Sequence, residues 1–131
     1  MIAVDSSVLI AILFDEPERE AYNRFITHNQ PAHLSAVSLQ ESGMIMRART
    51  GEAGVKDLFE LLTTLRIQVV PYDEAQARLA IEAFGLYGKG MHATAKLNMG
   101  DCASYALAKS LSAPLLFKGE DFKATDIILA V

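Results

Sequence analysis

The stretch Met1-Ile2-Ala3-Val4-Asp5-Ser6-Ser7-Val8 decides how the rest of the chain is read. A short apolar run, too short for a helix, meets a carboxylate and two hydroxyls. That is how a buried strand looks when it ends at a functional edge. Past Asp5 the period changes: Val8, Leu9, Ile12 and Leu13 recur at helical spacing. The chain therefore opens with a strand buried on both faces that delivers an Asp to the N-terminus of a helix. In open α/β sheets, ligands bind outside the carboxyl ends of the strands, where strand order reverses. Asp5 is expected to stand at such a place.

Working outward, strand and helix patterns alternate. Glu16-Pro17 opens a second helix, with Ala21, Tyr22, Phe25 and Ile26 as its buried stripe. His33-Leu34-Ser35 reads as a short strand. The helix after it places Val37, Glu41, Met44, Ile45 and Ala48 on one face and ends near Thr50-Gly51, with Gly as C-cap. Val55, Leu58, Phe59, Leu62 and Leu65 form another helical stripe, and Ile67 to Tyr72 a strand closed by Pro71. Asp73-Glu74-Ala75-Gln76 resembles a capping box for a helix with Ala77, Ala80, Ile81 and Phe84 turned inward. Leu86 to Met99 reads as a loop, about Asp101 to Leu111 as a helix, and Pro114 to Phe117 and Ile127 to Leu129 as strands. This alternation predicts a parallel sheet with helices on both faces.

The bulk numbers bound what such a domain does. At 131 residues, with no linker, repeat or low-complexity segment, the chain reads as a single domain spanning residues 1–131. The longest uncharged apolar run, Val8 to Phe14, is too short to cross a bilayer, and no basic segment precedes the first apolar run. The lone Cys102 excludes an internal disulfide and fits a reducing cytosol, so a cytoplasmic location is expected. A net charge of −4 argues against a broad grip on nucleic acid. A local grip remains open: Lys89, His92 and Lys96 lie in a stretch, Glu82 to Asp101, that holds no acid between its ends.

Several carboxylates stand where a neutral residue would cost less. Asp5 ends a buried strand, although it also suits an N-cap. Glu41 falls in a stripe read as core-facing, and an uncompensated buried carboxylate must be paired, protonated or metal-bound. Its plainer alternative is specific, since Ser38-Leu39-Gln40-Glu41 fits the S-x-x-E capping box. Asp101 opens an Ala-rich helix, where the macrodipole favours an acid in any case. A fourth acid, Asp121, follows the strand at Leu115 to Phe117 with Glu120 beside it, and by itself reads as an ordinary turn. In a parallel sheet, Asp5 and Asp121 leave the same edge, and Glu41 and Asp101 lie on helices that enter from it. Facing carboxylates repel unless a cation neutralises them. Oxygen donors without a His or Cys set suit Mg²⁺ or Mn²⁺ rather than zinc.

These residues resemble the PIN-domain ribonucleases, in particular the VapC-type toxins of bacterial toxin–antitoxin pairs. The resemblance covers essentially the whole chain. It is carried by Ile2-Ala3-Val4-Asp5-Ser6-Ser7, by Tyr87-Gly88-Lys89-Gly90 with Leu97 to Ala108, and by Pro114 to Phe122 with Thr125-Asp126. It implies a PIN-like three-layer α/β/α fold whose central parallel five-stranded sheet has the first strand in its middle. By resemblance, Asp5 and Asp101 are metal-binding, and Glu41 and Asp121 complete the catalytic acids. Ser6 and Ser7 stand just behind them, Ser6 replacing the Thr common in relatives. The implied activity is Mg²⁺-dependent endoribonuclease, with Mn²⁺ as substitute. RNA is the implied substrate, a VapB-type antitoxin the inhibitor, and a homodimer the common assembly. Lys89, His92 and Lys96 are candidates for RNA phosphates, with Arg47 and Arg49 weaker ones.

Two rival readings come from other classes. A receiver-like signalling domain would need a phosphoacceptor Asp ending a mid-chain strand, yet the nearest, Asp57, lies inside a helical pattern. A non-catalytic PIN-like binding module would be favoured by loss of one of the acids, and none is missing.

Overall fold

The computed structural model describes residues 1–130. Its elements run β1 (Ile2–Val4), α1 (Ser6–Leu13), α2 (Arg19–His28), β2 (Ala32–Ser35), α3 (Ala36–Thr64), β3 (Ile67–Val70), α4 (Glu74–Tyr87), α5 (Met99–Leu111) and β4 (Leu115–Leu116). The sheet is parallel throughout, in the order β3-β2-β1-β4. The opening strand is therefore internal. Its three residues are at most 2% exposed, so they are buried on both faces as the apolar run requires.

Each face of the sheet has its own core. Ile2, Val4, Leu34, Ile67 and Leu116 pack under α1, α2 and α3, against Leu9, Ile26 and Leu58. Ala3 and Leu115 point the other way, into Ala83, Ala106, Leu107 and Phe122 of the α4–α5 layer. Small residues on α5 and at Ala3 let that helix lie close to the sheet. The three-layer α/β/α expectation holds.

The fifth strand does not form as a strand. The Ile127 to Leu129 segment makes one parallel bridge, Leu115 with Leu129, held by Leu115 N–H to Ile128 C=O at 2.9 Å and Ala130 N–H to Leu115 C=O at 3.0 Å. The sheet has four strands with a single rung beyond β4. β4 itself is only two residues long, so its outer neighbour has little edge to pair with.

Two stripes differ from the sequence expectation. On α3 before Gly51 the buried positions are Ser38, Ser42 and Met46, while Met44 is exposed. On α4 they are Gln76, Ala80 and Ala83, while Ile81 is 72% and Phe84 39% exposed. In both cases most of the residues on the side facing the body are small or polar, Met46 excepted, because close helix contact needs small volume more than apolarity. The expected helix end at Gly51 is found as a break inside α3: φ 71° and ψ −157° there divide it into two helices joined without a loop.

Candidate active site

Asp5 follows β1 directly, and its backbone N–H bonds Leu116 C=O at 2.9 Å, which fixes it at the carboxyl edge between β2 and β4. It is the N-cap of α1, with Oδ2 accepting from Ser7 N–H at 3.1 Å. Its other oxygen, Oδ1, accepts from the Ser104 hydroxyl of α5 at 2.5 Å. The cap and the site residue are thus one side chain, 5% exposed.

Glu41 is not part of a capping box. The N-cap of α3 is Ser35, whose hydroxyl accepts from Val37 N–H at 3.2 Å, so Ser38 already lies inside the helix. Freed from that duty, the Glu41 carboxylate takes the Ser6 hydroxyl at 2.5 Å across the α1–α3 contact. It also lies against α5: a Cβ on Gly100 would sit 2.5 Å from Glu41 Oε2. Only glycine at 100 lets the carboxylate lie over the start of α5.

Asp101 does form a capping box. Asn98 Oδ1 accepts from Asp101 N–H at 2.9 Å, and Asp101 Oδ2 accepts from Asn98 N–H at 3.1 Å. Its carboxyl is nevertheless pushed up to about 7, first by burial and then by the like charges of Asp5, Asp121 and Glu41, against the opposing pull of the Asn98 N–H. Asp5, Glu41 and Asp121 therefore each lie within electrostatic reach of Asp101. Among the described residues none of the four joins an ion pair, although Lys and Arg side chains pair with Asp and Glu elsewhere. Glu120 is one of those paired acids, bound by Lys123 at 2.8 Å, whereas its neighbour Asp121 is in no ion pair among the described residues and its charge helps to raise Asp101.

Ser7 ties the Asp121 loop down, since its hydroxyl accepts from Lys118 N–H at 2.9 Å. Lys118 Nζ reaches back to Glu16 and Glu18 at 3.1 and 3.0 Å. The neighbouring Cys102 thiol is buried, and burial with the charge of Asp101 pushes it up to about 11, so it is an inert thiol at neutral pH.

The basic candidates separate into free and engaged groups. Lys89 and Lys96 are exposed and in no ion pair among the described residues. The His92 ring organises the loop between them, Nδ1 accepting from Thr94 N–H at 3.0 Å and Ala95 N–H at 2.9 Å. Arg47 pairs with Glu52 at 3.6 Å, and Arg49 lies over the Phe14 ring at 5.2 Å.

Ser104 and Gly100 were missed by the sequence reading. Both lie one or three residues from Asp101, so helical spacing places Ser104 on its face of α5. What could not be read is that this face meets Asp5 and Glu41.

The class the structure defines is a three-layer α/β/α fold on a parallel sheet, with Asp5 at the carboxyl edge and Glu41 and the start of α5 packed against each other. The PIN domain family model matches residues 2–128. Ribonuclease VapC30 of Mycobacterium tuberculosis is 42% identical over 124 residues, covering 95% of this chain and 94% of that protein. Ribonuclease VapC of Mycolicibacterium smegmatis is also 42% identical, over 95% of each chain. Among solved structures, M. tuberculosis VapC20, a sarcin–ricin loop cleaving toxin, aligns at a TM-score of 0.78 with 16% identity, over 98% of this chain and 97% of that one. VapBC2 of Rickettsia felis, bound to a fragment of its promoter DNA, aligns at 0.76 with 16% identity, over 98% and 96%. The chain belongs to the PIN-domain family and falls among its VapC ribonucleases.

Proposed function

We infer that this chain is a divalent-metal-dependent endoribonuclease, the toxin of a VapBC-type pair, hydrolysing RNA phosphodiester bonds at Asp5, Glu41, Asp101 and Asp121. The observation that carries this reading is that α5 brings three acids together: Ser104, one turn past Asp101, bonds Asp5, and Gly100, next to Asp101, lies against the Glu41 carboxylate. The 42% identity to named ribonucleases supports the substrate class.

The donor set fits a hydrated Mg²⁺. Among the described residues no three His, Cys, Asp or Glu side chains are grouped tightly enough to wrap an ion. All-oxygen donors without a His or Cys set are poor for zinc. Mg²⁺ keeps several waters and takes one or two carboxylates with substrate phosphate oxygens, and Mn²⁺ substitutes. The cation supplies acidification of water and neutralisation of charge on the phosphate.

Asp5 and Asp101 would hold it, Asp5 fixed by two hydrogen bonds and Asp101 by its capping box. Glu41, steadied by the Ser6 hydroxyl, and Asp121 close the acidic pocket and orient the attacking water. Lys89 and Lys96 meet RNA phosphates flanking the scissile bond, a local grip within an acidic protein. Unlike these two, Arg47 and Arg49 are already engaged, which ranks them last.

The outward α4–α5 face, where Ile81, Phe84 and Met99 line one apolar groove with Tyr72, fits a second copy of the chain and hence a homodimer. A VapB-type antitoxin would silence the site most simply by laying an Arg or Lys against the acids, a charge-assisted contact of the strong kind. No helix is long and apolar enough to cross a membrane among the described residues, and a cytosolic site of action completes this reading.

The test is RNA cleavage by purified protein with Mg²⁺, with Mn²⁺ and with EDTA, using Asp101→Asn as a control for contaminating nuclease. Cleavage is expected only with metal and only in the wild type. Equal cleavage in EDTA overturns the metal mechanism. No cleavage under any condition by antitoxin-free protein that is folded and still binds added antitoxin leaves the binding-module reading.

A further inference from the structure

Ser104 is wholly buried on α5 and sends its hydroxyl to a residue 99 positions away in sequence. Among the described residues its hydroxyl's hydrogen-bond partners are Asp5 Oδ1 at 2.5 Å and the Ser38 hydroxyl of α3 at 3.2 Å, and Ser38 is 1% exposed. The direction of this chain follows from proton counting. An ionised carboxylate only accepts, and a hydroxyl has one proton to give. Ser104 gives its proton to Asp5, so its oxygen accepts and Ser38 must be the donor. The relay runs one way, from Ser38 to Ser104 to Asp5.

Helical spacing shows what this relay joins. On α5, Ser104 lies one turn past Asp101; on α3, Ser38 lies one turn before Glu41. Each helix thus carries a site carboxylate and a hydroxyl on the same face. The two hydroxyls meet, and together they reach the central Asp5. We propose that Ser104 is a positioning residue for Asp5, holding its carboxylate plane through the Ser38–Ser104 relay in the orientation in which it would serve as a metal ligand. This rests on the metal-nuclease reading above.

The reasoning is a matter of degrees of freedom. The cap bond from Ser7 N–H fixes Oδ2 alone and leaves the carboxylate free to swing about it. A second bond, from a different element, removes that freedom. Each oxygen then has one donor and one remaining lone pair. Hydrogen bonds that orient a metal ligand in this way commonly change metal affinity by about 10- to 100-fold when removed.

The experiment measures Mn²⁺ binding to the purified full chain, by electron paramagnetic resonance or calorimetry, alongside melting in EDTA. Ser104→Ala is expected to weaken Mn²⁺ binding about 10-fold or more, and Ser38→Ala to weaken it less. The double variant should bind like Ser104→Ala alone, because the two serines form one relay. A merely structural serine would lower the metal-free melting temperature and leave Mn²⁺ affinity per folded molecule unchanged, and that result overturns the proposal. If Ser104→Ala does not fold, Ser38→Ala decides alone, with unchanged affinity counting against the relay. A wild type that binds no Mn²⁺ brings down the metal reading itself, which a normal wild type with an indifferent Ser104→Ala does not.

Discussion

Gly100 is where one missing carbon has a functional consequence. In the interior of an exposed helix, Gly→Ala raises stability by up to about 1 kcal/mol through backbone entropy. Here the added Cβ would lie 2.5 Å from Glu41 Oε2. What it meets is the far end of a flexible side chain, so the fold yields cheaply while the carboxylate moves. Gly100→Ala should therefore melt at or above the wild-type temperature and lose RNA cleavage by about 10-fold or more, as a misplaced charge-stabilising group does. Glu41→Gln, which removes the charge and keeps the shape, should match or exceed that loss with the fold intact. A Gly100→Ala variant with full activity would detach Glu41 from the chemistry.

At the scale of elements, α3 is the unusual one. Its two halves turn at Gly51, whose φ of 71° with ψ of −157° is a conformation open to glycine and strained for other residues. Nothing lies within 4 Å of a Cβ built there, so sterics with neighbours are not the reason for glycine. The backbone alone demands it. Gly51→Ala should destabilise the domain by about 1–3 kcal/mol, read as a fall in the denaturant midpoint with an unchanged slope. Because Glu41 lies in the first half, packed on α1 and α5, cleavage by the folded fraction should stay near normal. A variant as stable as the wild type would mean the two halves straighten without cost.

The whole molecule carries its acids unevenly, and pH should reveal it. Asp101 is raised from 3.8 to about 7 in the folded protein, by burial first and then by Asp5, Asp121 and Glu41. The folded state thus holds that proton more tightly than the unfolded chain does. Its contribution is fully present below pH about 3.8 and is lost as pH rises through about 7. Asp126 works in the opposite sense: the Tyr105 hydroxyl and then Lys109 hold it below the usual carboxylate range, so its contribution fades only in stronger acid. Metal-free protein melted in EDTA between pH 4.5 and 8 should lose stability towards the alkaline end. Asp101→Asn should flatten that slope, and Mn²⁺ should raise the melting temperature most at pH 7 to 8, by binding the folded state. A flat wild-type profile would mean the four acids do not burden the fold.

Much of this molecule follows from interactions between near neighbours in sequence. The burial of Ile2 to Val4, the turn at Asp5, the break at Gly51 and the cap at Asp73 are written in runs, periods and capping residues a few positions apart. Capping at Asp73 was only half as read, since Gln76 Nε2 turns to Pro71 C=O at 3.1 Å instead of closing the box. The three acids Asp5, Glu41 and Asp101 were legible as misplaced charge, because a carboxylate in an apolar stripe or at a buried strand end needs a reason. Packing decided the rest. That Glu41 takes the Ser6 hydroxyl, that Gly100 makes room for it, and that Ser38 and Ser104 converge on Asp5 depend on residues 35 to 99 positions apart meeting at one edge. Likewise Ile81 and Phe84 face outward because Ala80 and Ala83 take the close contact with α5, a choice made by volume between layers. A periodic pattern states that a helix has two faces; only the partner it packs against decides which face is inside.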